Sequence, residues 1–259
     1  MGIFAGRHCR ADDHYEPRSV TTVRCNLSPL PEIRPSLSLL MNRHSIRPEN
    51  LRIRLRHVRF IGGGSGGGKS TVARRLTADH GLRLYHAEQF SKYAARTTPA
   101  EAPLLHAFLA MDMDERWFNR SPHVMFNTFH GFHGELFDLV VEDLLALPRK
   151  PPVLVEGFTL LPRLVAPLLS ERSQAVWLVP TPEFRRAAFD SRGSTWDIPQ
   201  KTSDPERALA NLLARDGLFT DHVLHEATAL DLPVIEVDLG LSVDELVNMV
   251  ATVLDLAPL

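Results

Sequence analysis

Lysine is scarce in this chain. Lys69, Lys92, Lys150 and Lys201 are the only four in 259 residues, and arginine supplies the rest of the positive charge. The bias fits a GC-rich genome better than a function, but it makes Lys69 stand out. Cysteine is scarcer still. Cys9 and Cys25 both lie near the amino terminus, in no metal-ligand spacing. That excludes a disulfide framework, and a reducing cytoplasm is the expected setting. No apolar run approaches the roughly 20 residues of a membrane helix. The first residues lack the continuous apolar stretch of a secretory signal. A formal net charge of −2 offers no broad basic footprint, so nucleic acid is not an expected partner.

What is present begins with glycine. His57-Val58-Arg59-Phe60-Ile61-Gly62 reads as a buried strand. It runs into Gly63-Gly64-Ser65-Gly66-Gly67-Gly68-Lys69-Ser70-Thr71, which fits G-x-x-x-x-G-K-[ST]. The spacing has a chemical reason. Glycines let backbone N–H groups turn inward on phosphate oxygens, Lys69 reaches the β- and γ-phosphates, and the Ser70 hydroxyl holds Mg²⁺. The next helix points its positive end at the same phosphates. Val72 to Ala78 has helical spacing, so strand, glycine loop and helix follow in the required order. The plain alternative, a flexible Gly/Ser linker, has no use for a Lys-Ser-Thr end fused to a helix.

Residues 1 to 50 show no sustained period. Pro29, Pro31, Pro35 and Pro48 interrupt them, and they read as a poorly ordered tail ahead of a domain at 51–259. Within that domain Leu82 to His86 reads as a second strand, with Glu88 just past its carboxyl end. Residues 99–150 form a long excursion with helical patterns at 103–113 and 135–147. Between them lies a run of aromatic, His, Asn and Arg residues, from Trp117 to His133. That run suits a ligand pocket, and equally aromatic packing under a helical cap. Val153-Leu154-Val155 makes a third strand, ending at Glu156-Gly157. An acid there suits a Mg²⁺-water ligand or a base near the γ-phosphate; it also suits a carboxylate that merely caps a turn. Leu164 to Leu169 is a short helix, Ala175 to Val179 a fourth strand, and Pro233 to Val237 a fifth. Asp204 and Pro205 open a helix that runs to about Leu230, and Ser242 with Glu245 forms a capping box. After the fourth strand come Arg185, Arg186, Arg192, Arg207 and Arg215. As a group they suit a lid that closes over phosphates; singly, each suits a solvated surface. Arg192, directly before Gly193, and Arg215, beside Asp216, are the lid candidates.

Strands alternating with helices make this an α/β chain with a parallel sheet and helices on both faces. With a P-loop after strand one and Glu-Gly after strand three, residues 57 to 256 resemble the P-loop kinases, with adenylate kinase and shikimate kinase as the general comparison. The resemblance implies a three-layer α/β/α domain and a five-stranded sheet in 2-3-1-4-5 order. It further implies ATP with Mg²⁺, an acceptor-binding insert at 99–150 and an arginine-bearing lid at 185–215. Hydroxyl-phosphorylating members often carry Asp-x-Asp or Asp-Asp after strand two. Here the run is His86-Ala87-Glu88, so Glu88 is the single candidate for metal coordination or general base. None of the four lysines follows an asparagine, as a guanine-binding Asn-Lys-x-Asp would require. The only Ser-Gly-Gly run is in the phosphate loop, and Val155-Glu156-Gly157 lacks the Asp-Glu of a helicase. The expected activity is transfer of the γ-phosphoryl group to a small-molecule hydroxyl or phosphate, with Lys69, Glu88, Glu156, Arg192 and Arg215 as catalytic candidates and Ser70 and Glu88 as metal candidates. The competing expectation is an ATP-binding regulatory protein whose insert recognises a macromolecular partner.

Overall fold

The computed structural model describes residues 48–191 and 198–256. Five parallel strands form one sheet: β1 (Val58–Gly63), β2 (Arg83–His86), β3 (Val153–Glu156), β4 (Ala175–Pro180) and β5 (Val234–Val237). Their order across the sheet is β2-β3-β1-β4-β5. The three central strands are almost wholly buried because both faces are covered. Successive side chains point to opposite faces. Phe60, Val153, Val155, Ala175 and Trp177 enter one core, and Ile61, Leu154, Val176 and Leu178 enter the other.

The smaller core is closed by α2 (Lys69–Asp79), through Val72, Ala73 and Leu76, and by the terminal helix α12 (Val243–Val253), through Leu246, Val247 and Val250. The Ser242–Glu245 capping box starts α12 as the sequence predicts. The larger core takes up everything else. Its spine is α11 (Pro205–Ala229), 25 residues long and capped by Asp204, whose side chain accepts the Arg207 N–H. Ala208, Leu212, Phe219, Val223 and Ala227 line its buried face at helical spacing.

The excursion at 99–150 is helical throughout its length rather than at its two ends alone. The expected helices are α4 (Pro103–Ala110) and α8 (Phe137–Ala146). Between them stand three short ones: α5 (Met113–Trp117), α6 (Pro122–Thr128) and α7 (His130–His133). Their start signals are local: an Asp112–Glu115 capping box opens α5, and Ser121 with Pro122 opens α6. Before the insert, α3 (Phe90–Ala94) is tied to α8 through Asp143. That carboxylate accepts from Tyr85 (2.6 Å), Lys92 (2.5 Å) and Arg96 (2.8 Å).

Two boundaries differ from the sequence reading. Pro48 does not break regular structure but opens helix α1 (Pro48–Leu55), whose Leu51 and Leu55 are core residues. Helical structure therefore begins three residues before the expected domain start at 51. The short helix after β3, α9 (Pro162–Val165), opens two residues before Leu164 and continues as a 3₁₀ turn (Ala166–Leu168); after β4, α10 (Pro182–Ser191) precedes another 3₁₀ turn at Pro199–Lys201. Arg192 and Gly193, between them, lie outside the described residues.

Gly63 ends β1 with φ +120°, and a Cβ there would sit 2.0 Å from the Leu178 carbonyl oxygen. Gly63→Ala combines backbone strain with a clash against an immovable strand, at a cost of about 3 kcal/mol or more. Urea denaturation should show that loss. A midpoint matching wild type would mean that β1 and β4 are free to separate here.

Candidate active site

Parallel strands deliver their carboxyl ends to one edge, and an open sheet binds its ligands in the crevice there. In this chain that edge collects the glycine loop, Glu88 and Glu156. The loop turns tightly between β1 and α2. Gly66 and Gly68 adopt φ near +80°, and the loop is anchored by Gly64 N–H donating to the Leu178 carbonyl (2.9 Å). Lys69, the first residue of α2, is buried and folds back on the loop. Its Nζ donates to the Gly63 and Gly64 carbonyls, at 3.2 and 2.8 Å. The first turn of α2 holds no acidic side chain. No carboxylate of its own first turn therefore neutralises its positive dipole end.

Ser70 extends the site sideways. Its hydroxyl donates to Glu156 Oε2 (3.0 Å), and Glu156 is 5 % exposed. The other oxygen, Oε1, lies 2.5 Å from His86 Nδ1. Register explains that pairing: β2 and β3 place His86 opposite Glu156 at the ends of adjacent strands. The sequence reading did not single out His86 as a partner; the signal available was that both residues end neighbouring strands. Glu88 lies two residues further on. Its Oε1 accepts the Phe158 N–H at 2.6 Å. The approach is close enough that a Cβ on Gly157 would fall 3.2 Å from that oxygen. The Glu88 side chain opens to solvent on one side, yet the crevice walls strip water from the rest. That desolvation raises the carboxyl above its ordinary pKa. The Lys69 charge and the Phe158 N–H oppose the shift, while Glu156 adds to it.

The arginines separate. Arg185 is buried behind the loop, donating to Thr220 Oγ1 (2.8 Å) and to the Pro180 carbonyl (3.3 Å). Its Cγ lies 3.3 Å from where a Gly66 Cβ would stand. It therefore supports the back of the loop. Arg186 is exposed and pairs with Asp190 one turn on. Arg215 is not brought to the phosphate loop as a lid residue. It is buried in mid-α11, held by Asp216 at 2.6 Å. Its guanidinium lies about 5 Å from the Trp117, Phe129 and Phe132 rings. The physical reason is the helical stripe: position 215 falls on the buried face, where a charge needs a carboxylate and π faces.

The run from Trp117 to His133 forms an aromatic cluster beside Glu88. Phe129 packs edge-on to Phe108 and Phe132, and it reaches Phe90 and Phe158 at about 6 Å. Phe90 and Phe158 are only half-buried: Phe90 lies two residues past Glu88 in sequence, and the Phe158 N–H donates to the Glu88 carboxylate.

No protein-family model matches the chain, and no curated protein matches it. Among solved structures, it is similar to deoxyadenosine kinase from M. mycoides with bound dCTP. The two are 15 % identical, over 76 % of this chain and 98 % of that one, with a TM-score of 0.33.

The Glu88 environment has a consequence for stability. A carboxyl whose native pKa is raised makes the folded state bind its proton more tightly than the unfolded state. Stability is then greatest below the ordinary value of 4.5 and declines as pH rises through the native value. Glu88→Gln keeps the oxygen that accepts from Phe158 and removes the titration. Because Glu88 is exposed, solvent screening keeps the effect small, and thermal melts across that range should show the variant gaining slightly on wild type as pH rises. Parallel curves would show that the carboxylate meets no penalty in the crevice.

Proposed function

We propose that this chain is an ATP-dependent phosphotransferase that moves the γ-phosphoryl group to a hydroxyl of a small-molecule acceptor. The observation that carries the reading is the convergence of Lys69, the Ser70–Glu156 pair and Glu88 at the carboxyl edge of the sheet. Gly63, Gly64, Ser65, Gly66, Gly67 and Gly68 supply the backbone of a phosphate cradle, and Ser70 and Thr71 continue it into α2. Lys69 supplies a point charge for the transferring group.

The donor set fits Mg²⁺. Among the described residues no three His, Cys, Asp or Glu side chains converge on one point. A magnesium ion needs no such cage: it takes one or two protein oxygens and leaves the rest to water and phosphates. Ser70 Oγ and the carboxylate of Glu156 are hard oxygens of that kind, and they touch. Ser70 would hold the ion, with Glu156 orienting the hydroxyl and a bound water. When bound, the ion neutralises charge on the transferring group.

Glu88 is given the base. It lies beside Lys69 and Glu156 but is tied to neither by a hydrogen bond, and its raised pKa improves its power to accept a proton. It takes the acceptor hydroxyl's proton as that oxygen bonds to the γ-phosphorus, and the bridging oxygen departs with ADP. Phe158 N–H fixes the carboxylate for this role. Arg192 keeps its proposed part as a lid residue on sequence grounds. Arg215 is assigned to the packing of the insert. Among the described residues no helix is long and apolar enough to cross a membrane.

Two substitutions test the reading. Lys69→Ala should abolish acceptor-dependent ADP release while leaving the circular-dichroism melt in place. Glu88→Gln should lower turnover at least about a hundredfold with ATP affinity little changed, the signature of a base that acts only in the chemical step. A folded Lys69→Ala protein with wild-type turnover would sink the phosphotransfer reading. A Glu88→Gln protein with wild-type turnover would move the base elsewhere.

A further inference from the structure

Next to Glu88, on the side of the insert, is a cavity of about 10 Å³. Ala87, Phe90, His130 and Thr159 line it, together with glycines and apolar residues at and before the start of α8. The volume is that of about one water molecule. Both ring nitrogens of His130 and the hydroxyl of Thr159 are buried without a hydrogen-bond partner. The two residues are 1 % and 6 % exposed. Each unpaired buried polar atom costs stability, and here three such atoms belong to two residues lining one small space.

The surroundings select what can enter. The His130 ring stands edge-on to Phe90 at 4.5 Å and lies 4.6 Å from Phe129. Burial, reinforced by the charges of Arg215 and His133, pulls the His130 pKa down to about 4. At neutral pH the imidazole therefore presents one donor and one acceptor. A carboxylate or phosphate pushed into this space would find no cation in its lining; Arg215, whose Nε and Nη2 are held by Asp216 while Nη1 has no partner, is not among the residues that line it. An uncharged hydroxyl, carbonyl or amide would satisfy both residues. Only one such substituent fits. The body of the molecule would stay outside, against the half-buried faces of Phe90 and Phe158.

We propose that His130 and Thr159 are the specificity pair of the acceptor site, hydrogen-bonding a single uncharged polar substituent of a ring-bearing, uncharged alcohol whose reacting hydroxyl meets Glu88. The assignment rests on the phosphotransfer reading above and adds the class of acceptor to it. Neither residue touches the reacting atoms, so both are positioning residues.

Thr159→Val, an isosteric change, is the primary test on the full chain, with His130→Phe beside it. If the hydroxyl is kept for a ligand, its removal should leave the ligand-free melting temperature unchanged or raise it by about 2–4 °C. If it instead holds a structural water, the melting temperature should fall by a similar amount, and the proposal is overturned. Kinetics are then read on a panel of neutral ring-bearing alcohols and their carboxylated or phosphorylated counterparts. The wild type should favour the neutral members. Thr159→Val should lower kcat/KM for the best of them about tenfold, mainly through KM. Equal use of charged and neutral acceptors, or an unchanged kcat/KM, would overturn the pair while leaving phosphotransfer intact. If the wild type releases no ADP with any panel member, phosphotransfer itself fails. Calorimetric binding of the same neutral alcohols then decides the pair separately: binding weakened by Thr159→Val upholds it, and no binding to wild type removes it.

Discussion

A buried ammonium group must be surrounded by oxygen, and much of this site follows from that need at Lys69. Its Nζ donates to the Gly63 and Gly64 carbonyls, which the tight turn after β1 brings to it. The turn brings Gly63 against the Leu178 carbonyl with no room for a side chain. Its back is filled by Arg185 and Thr220, from α10 and α11. One charge thus dictates a loop shape, and the loop shape recruits residues more than 100 positions away in sequence. The same ammonium acts on Glu88 across the crevice, opposing the penalty that desolvation places on that carboxylate.

Much of the architecture was legible in the sequence because its signals are local and periodic. The strand–loop–helix unit around Lys69, the Asp204–Pro205 start of α11 and the Ser242–Glu245 box each depend on a few neighbouring residues. All three stand where the sequence puts them. The 2-3-1-4-5 strand order agrees with what the family resemblance implied. The interior of the insert was less legible. Helices of four to seven residues are too short to show a period, and only their caps announce α5 and α6.

Side-chain destinations were harder still. Arg185 and Arg215 read as lid residues because both follow β4 and carry charge. What decides their fate is helical phase: each falls on a buried face, one behind the loop and one among aromatic rings. Linear spacing near an assumed active edge gave no weight to that phase. The His86–Glu156 pair depends on register between two strands 70 residues apart, which no local pattern encodes. Conversely, the mixture of Phe, His and Asn between Trp117 and His133 was noticeable from composition alone, while its packing around Phe129 required the fold.

The long helix α11 serves both sides of the crevice with one rigid rod. In its first half Asn211 donates to the Trp117, Phe118 and Arg120 carbonyls, and near the middle Arg215 lies among the rings of the insert. One turn later Thr220 meets Arg185 behind the phosphate loop. Each residue added to a helix rotates everything beyond it by about 100° and advances it by about 1.5 Å. An insertion or deletion of one residue between positions 215 and 220 would therefore put the two attachments out of phase. This stretch of α11 can exchange side chains one at a time, but it cannot change length. In this chain the length of a helix is as tightly constrained as the identity of any residue in the loop it supports.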